Sequence, residues 1–298
     1  MVRRPESTRL KMILAQLFER SKQLNAPGEI RGFPPVRNFV LDLLAEGRRK
    51  NIAHIIVEAD FTGIRERLKA HRSQTGRSIS VTSYIAKSFA SAVAADRRMQ
   101  AYRLGRSRVV VFDDVDIAFM VEREWQGETL PIFYIVRGAQ RKSIQDIHSE
   151  LQRAKTTPLG EDGPLSALDM HFLYWPKILR RLVWMLLHRN PYWFKAVAGT
   201  VGLTSFGMHT TGAAVGLPIT PMSLTLTVGT IEKQLALCGE TVCEREIIHL
   251  DLSLDHDVID GAPTMRFAAR LKELLRLGID ELASSEPQPG TGSVSLPN

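Results

Sequence analysis

Leu252-Ser-Leu-Asp-His-Asp-Val-Ile-Asp-Gly261 is the stretch on which the reading of this chain turns. Upstream, Ile247–Leu254 alternates apolar and polar side chains, the period of a strand. Downstream, Ala262–Leu277 spaces its apolar residues as an amphipathic helix does. His256 therefore stands where a strand ends. Asp260, four residues on, stands in the turn that enters a helix, with Gly261 beside it. An imidazole held at a strand end has an unperturbed pKa near the working pH and can act as a general base. A carboxylate across the tight turn can fix that turn, and with it the ring. Alone, the same His and Asp also read as a surface turn with a helix N-cap.

Around this stretch, strand and helix patterns alternate. Thr8–Leu24 and Val36–Lys50 have helical spacing and are separated by the Gly/Pro-rich connector Ala26–Pro35. Ile52–Ala59 reads as a strand, Thr62–Gln74 as a charged helix and Val81–Ala95 as a mostly buried one. Val109–Phe112, Val115–Glu122 and Leu130–Arg137 read as strands, and Ser143–Lys155 as a helix. Val201–Ser205 and Leu224–Ile231 complete the strands. Thr156–Asp169 is a Gly/Pro-rich loop, and the Ser/Pro/Gly-rich tail 284–298 has a disordered composition. Mixed elements in one continuous pattern predict a layered α/β domain. The domain reading is an N-terminal helix and linker over 1–33, one main domain over 34–283 with an insertion at 156–198, and the tail.

With 298 residues and 44% hydrophobic content, the chain can bury a sizeable core. Thirty-nine basic against 32 acidic residues leave a formal charge of +7, compatible with an anionic cofactor, with a membrane surface, or with no particular partner. No nucleic-acid signature and no Gly-rich phosphate loop accompanies that charge. Cys238 and Cys243 are wrongly spaced for a zinc pair and are read as two reduced thiols, with a hairpin disulfide conceivable. His249, Asp251, Asp255, His256 and Asp257 crowd one region, but Asp255 and Asp257 flank His256 and cannot both face it from a strand, so no metal is expected. The basic, acid-interrupted N-terminus lacks a cleavage site and is read as an ordinary amphipathic helix of a cytoplasmic protein.

Leu252–Leu275 resembles the closing signature of the catalytic domain of the 2-oxoacid dehydrogenase acyltransferases, whose pattern is a strand, Asp-His-Arg-x-x-Asp-Gly and a helix. Asp255, His256, Asp260 and Gly261 match; Asp257 stands at the arginine. Further matches are collinear. Pro35–Leu41 is similar to the family's opening helix, with Arg37 at its arginine, and Ile52–Thr62 to its first core strand. Ser80–Ala95, Val115–Val121, Gly199–Met208 and Met222–Ile231 follow in order, so the resemblance spans roughly residues 34 to 280. It implies a chloramphenicol-acetyltransferase-like α/β fold, a two-layer sandwich with a mixed sheet, here with an inserted amphipathic helix. It further implies acyl transfer from an acyl-CoA thioester to a small-molecule acceptor, with His256 as base and Thr204 as the hydroxyl that bonds the oxyanion. Asp260 and Arg37 would form a buried ion pair holding the histidine loop. The family assembles as trimers with active sites at subunit boundaries, so a homotrimer or higher multiple is expected, with His256 of one chain facing Thr204 of the next.

Two departures qualify the resemblance. About 34 residues precede the core and no lipoyl-type Asp-Lys-Ala turn occurs, so the chain is expected to carry no lipoyl group of its own and to use another acceptor. The alternative is a non-catalytic trimeric scaffold, which Asp257 and the missing arm favour. The second departure is the aromatic, basic stretch Met170–Phe194, which holds three of the four tryptophans. It is read as a helix that buries its aromatic face against protein; an anionic membrane surface is possible but not favoured.

Overall fold

The computed structural model describes residues 12–16, 32–34, 37–125, 128–156, 172, 174–205 and 212–284. The chain divides into two compact units, Met1–Pro34 and Pro35–Asn298. In the first, residues 12–16 are helical; the rest of the helix expected over Thr8–Leu24 lies outside the described residues, as do most of the loop after Thr156 and the tail after Ser284.

The second unit contains β1 (Ile52–Asp60), β2 (Ala101–Leu104), β3 (Arg108–Val111), β4 (Ile117–Trp125), β5 (Glu128–Val136), β6 (Val201–Ser205), β7 (Leu224–Cys238) and β8 (Thr241–Asp255). Its helices are α1 (Arg37–Gly47), α2 (Ile64–Thr75), α3 (Val81–Ala95), α4 (Ile144–Thr156), α5 (Lys177–Arg189), α6 (Pro191–Ala198), α7 (Gly261–Leu274) and α8 (Ile279–Ser284). Six strands form one sheet in the order β1-β8-β7-β6-β4-β5, and β2-β3 is a separate ribbon. β6 runs parallel to both β4 and β7, while the other neighbours are antiparallel, so the sheet is mixed.

Sheet and helices meet over one main core. Ile117 and Phe119 of β4, Leu203 of β6, Leu226 of β7 and Leu250, Leu252 and Leu254 of β8 pack against Ile85 and Phe89 of α3 and Phe267 and Leu271 of α7. The α3 helix opens where Ser80 Oγ accepts the Ser83 N–H at 3.1 Å, a side-chain N-cap, and its apolar residues reach most of the way round, as befits a central helix. On the opposite sheet face, a second cluster joins Ala118, Ile135, Leu43 of α1, Trp184 of α5, Phe194 of α6 and Met222. The two-layer α/β sandwich thus gains extra cover at its β4–β5 end from α1 and the inserted helices. β8 is buried on both faces from Ile248 onward rather than on one.

The inserted stretch forms two helices, not one. Pro176 precedes α5, where its missing N–H costs nothing, and Asn190-Pro191 separates α5 from α6. Asn190 Oδ1 accepts the Tyr192 N–H at 3.0 Å and starts α6. β7 and β8 also run longer than their apolar patterns indicate, as a hairpin whose outer halves are largely exposed. That hairpin corrects the thiol reading: it sets the Cα atoms of Cys238 and Cys243 5.8 Å apart, within disulfide reach, and the two are joined.

Candidate active site

The register of β1 on β8 builds the histidine turn. Ile52 lies opposite Asp255, so Lys50 and Asn51, just before β1, fall beside the residues just after β8. The His256 N–H donates to the Asn51 carbonyl oxygen at 2.8 Å. Asn51 Nδ2 donates to Asp257 Oδ1 at 2.8 Å. Lys50 Nζ donates to Asp255 Oδ2 at 2.7 Å, and both side chains are largely buried. Burial pulls the Lys50 ammonium below its ordinary pKa, against the opposing pull of Asp255. Lys50 also lies 5.1 Å from the centre of the Tyr102 ring. Asp255 closes the turn itself: its carboxylate accepts the Asp257 N–H at 3.2 Å, and its carbonyl accepts the N–H groups of Val258 and Ile259. The backbone is therefore fixed on both sides of His256, while the imidazole is exposed and takes no hydrogen bond from a described residue.

Arg37 and Asp260 do not meet within the chain. Asp260 is the N-cap of α7; its carbonyl accepts Thr264 Oγ1 at 2.8 Å, but its exposed carboxylate makes no cap bond. Arg37 opens α1 and is exposed, and no ion pair joins the two among the described residues. The buried pair that α1 does make is Asp42 with Arg180 of α5, at 2.7 Å. Within the chain, Lys50 and Asn51 reach the histidine turn from outside it. Their signal in the sequence is only a basic run ending at a strand start.

Thr204 sits on β6, half-buried, opposite Thr227 of β7, which in turn lies opposite Asp251 of β8. It lines a cavity of about 50 Å³ whose other walls include Leu43, Met120, Phe133, Pro218 and Met222. Gly202 gives the cavity room, since a Cβ there would press on the Thr225 hydroxyl. Thr204 and His256 are separated by two strand spacings of ~4.8 Å and five residues of rise at ~3.3 Å, about 19 Å in all. One chain does not bring them together.

Between them lies a polar row that the sequence reading left without a role. His54 Nδ1 is 3.1 Å from Ser253 Oγ and 3.3 Å from Asp251 Oδ2, and Ser253 Oγ donates to the same carboxylate. Burial raises the Asp251 pKa, and its Oδ1, like Thr227 Oγ1, is buried without a partner. Among the described residues no group of His, Cys, Asp and Glu is placed to hold a metal ion.

A family model for the 2-oxoacid dehydrogenases acyltransferase (catalytic domain) matches residues 37–171 and 196–282. The residues it leaves out, 172–195, contain α5 and most of α6. A curated relative, the dihydrolipoyllysine-residue acetyltransferase component of the pyruvate dehydrogenase complex from Acholeplasma laidlawii, is 37% identical over 79 residues, 26% of this chain and 14% of that protein's length. A probable dihydrolipoamide acetyltransferase from Listeria monocytogenes superposes with a TM-score of 0.62 at 18% identity, covering 89% of this chain and 99% of that one. The dihydrolipoamide acetyltransferase of Azotobacter vinelandii, whose mechanism has been probed at a serine, a histidine and an asparagine, gives 0.63 at 19% identity over 87% and 96%. These structures establish the common fold.

Proposed function

We propose, from the premise that this chain belongs to the 2-oxoacid dehydrogenases acyltransferase (catalytic domain) family, that it moves an acyl group from an acyl-CoA thioester to a small acceptor with His256 as general base. The observation that carries this reading is the histidine turn, whose backbone is pinned by Asn51 and Asp255 while its imidazole is left free for a substrate. The imidazole takes the proton of the acceptor thiol, hydroxyl or amine as the acceptor attacks the thioester carbonyl. Thr204 Oγ1 donates to the resulting oxyanion. Collapse breaks the carbon–sulfur bond, and the imidazolium returns its proton to the departing thiolate. The transfer is direct, with no acyl-enzyme.

The separation of about 19 Å within a chain supports a site shared between chains, with His256 of one copy facing Thr204 of another in a trimer or higher multiple. The Azotobacter enzyme has its probed asparagine four residues past its histidine; Asp260 holds that spacing here, and we give it a positioning role toward His256. Arg37 is proposed as its ion-pair partner only in the assembled form. We place the reaction in the cytoplasm.

The test is mass-spectrometric measurement of acyl-CoA consumption by the whole chain against dihydrolipoamide, simple thiols, amines and alcohols. Transfer to at least one acceptor is expected, falling about 10²–10⁴-fold in His256→Ala. An unchanged rate in that variant removes the base role. Thioesters left intact with every acceptor favour the scaffold reading, for which Asp257 in place of the family's arginine is the supporting observation.

A further inference from the structure

We propose that α5 and α6 form a docking face for an anionic membrane surface. Helix α5 has a packed face and an exposed apolar one. One carries Arg180, Trp184, Leu187 and His188 and packs on α1, where the Trp184 ring lies 5.9 Å from that of Phe39. The other carries Ile178, Leu179, Leu182 and Leu186, at helical spacing i, i+1, i+4 and i+8, and all four are exposed, Ile178 by 81%. Trp175 before α5 and Trp193 on α6 are about half exposed. An apolar face this continuous, with the half-exposed Trp175 three residues before it in sequence, is rare on a surface that meets only water.

Charge selects the occupant. Residues 170–231 contain no aspartate or glutamate. Lys177, Arg181 and Arg189 are exposed on α5, and Arg180, the other cation of that helix, is consumed by Asp42. Leucine and isoleucine flanked by Lys and Arg, with tryptophan at the edge, are the composition that lies in a headgroup layer and is drawn to anionic lipid. A second copy of this chain is a poor occupant, because a two-fold contact would set Lys177, Arg181 and Arg189 against one another. The segment also falls in the gap of the family match, so whatever assembly the family shares does not require it. At 13 residues, α5 is ~20 Å long. No helix among the described residues is long and apolar enough to span a membrane, so the contact is peripheral. This inference is independent of acyl transfer.

The experiment is co-sedimentation of the whole chain with phosphatidylcholine vesicles, with and without phosphatidylglycerol, at low and physiological salt, alongside its size in solution. Binding to the anionic vesicles is expected, weaker at higher salt. Leu182→Glu/Leu186→Glu should reduce it at least about tenfold, and Leu235→Glu, at an exposed leucine of the β7–β8 hairpin, should leave it unchanged. Lys177→Glu/Arg181→Glu, at two exposed positions, should give a comparable loss through charge. The proposal is overturned if the wild-type chain ignores anionic vesicles, if both double variants bind as it does, or if the leucine variant binds normally but falls to a smaller assembly, which would make this face a protein contact.

Discussion

His256 stands out in the sequence by local pattern, an imidazole between a strand and a helix, whereas Thr204, a hydroxyl on a short apolar strand, is singled out only by the family resemblance. Thr204→Val keeps the branched shape and removes only the donor. If the hydroxyl meets the oxyanion, kcat should fall about 10²–10³-fold with KM little changed, as steady-state kinetics will show. Lys50 and Asn51 were not legible. Asn51 reaches Asp257 across 206 residues of sequence, and only the pairing of β1 with β8 makes them neighbours. Lys50→Met leaves the Asp255 carboxylate buried and unpaired, which should destabilise the chain by about 3–5 kcal/mol in urea unfolding. The Lys50→Met/Asp255→Asn double variant should cost less than the sum of its parts if the two act as a pair; strict additivity would mean that the contact at 2.7 Å contributes nothing.

Elements with strong periodicity and defined ends were legible to the residue: Val81–Ala95 begins after its Ser80 cap as its pattern says. The four-residue strand β2 left no such trace. β7 and β8 were read short because their outer halves leave the core and lose the apolar alternation. The insertion was legible as helical, but its break at Asn190-Pro191 and its two-faced packing depend on what α1 offers. The turn after α1 adds an electrostatic part, because Arg49 and Lys50 lie close to His188. His188 is pushed down to about 4 by burial, with Lys50 and Arg49 adding to the effect. A histidine whose folded pKa lies below its unfolded value of about 6.5 contributes stability that is complete above that value and is lost as pH falls toward the folded one. Urea unfolding of the wild-type chain should therefore weaken between about pH 6.5 and pH 4, and His188→Gln should flatten that part of the profile. An unchanged slope would show that His188 is already charged in the folded chain.

For the whole molecule, the decisive geometry is what one chain withholds. Strand order and register put Thr204 on β6 and His256 beyond the end of β8, on the same sheet but about 19 Å apart. No rotamer of either side chain spans that distance, so catalysis by this pair requires a second copy. Sequence resemblance implied such a boundary site; the register supplies an independent reason for it. The arrangement makes a sharp prediction for mixed assemblies. His256→Ala chains retain Thr204, and Thr204→Val chains retain His256. Each variant alone should be nearly inactive. Co-expressed in equal amounts, they form some boundaries at which the intact histidine of one meets the intact threonine of the other. Random choice of chains in a ring makes that about one boundary in four, so the mixture should recover about a quarter of wild-type activity. A site built within one chain recovers nothing on mixing, because every copy still lacks one of its two groups. Recovery measured against the fraction of each variant in the purified assembly thus separates the shared site from the single-chain one without knowledge of the natural acceptor.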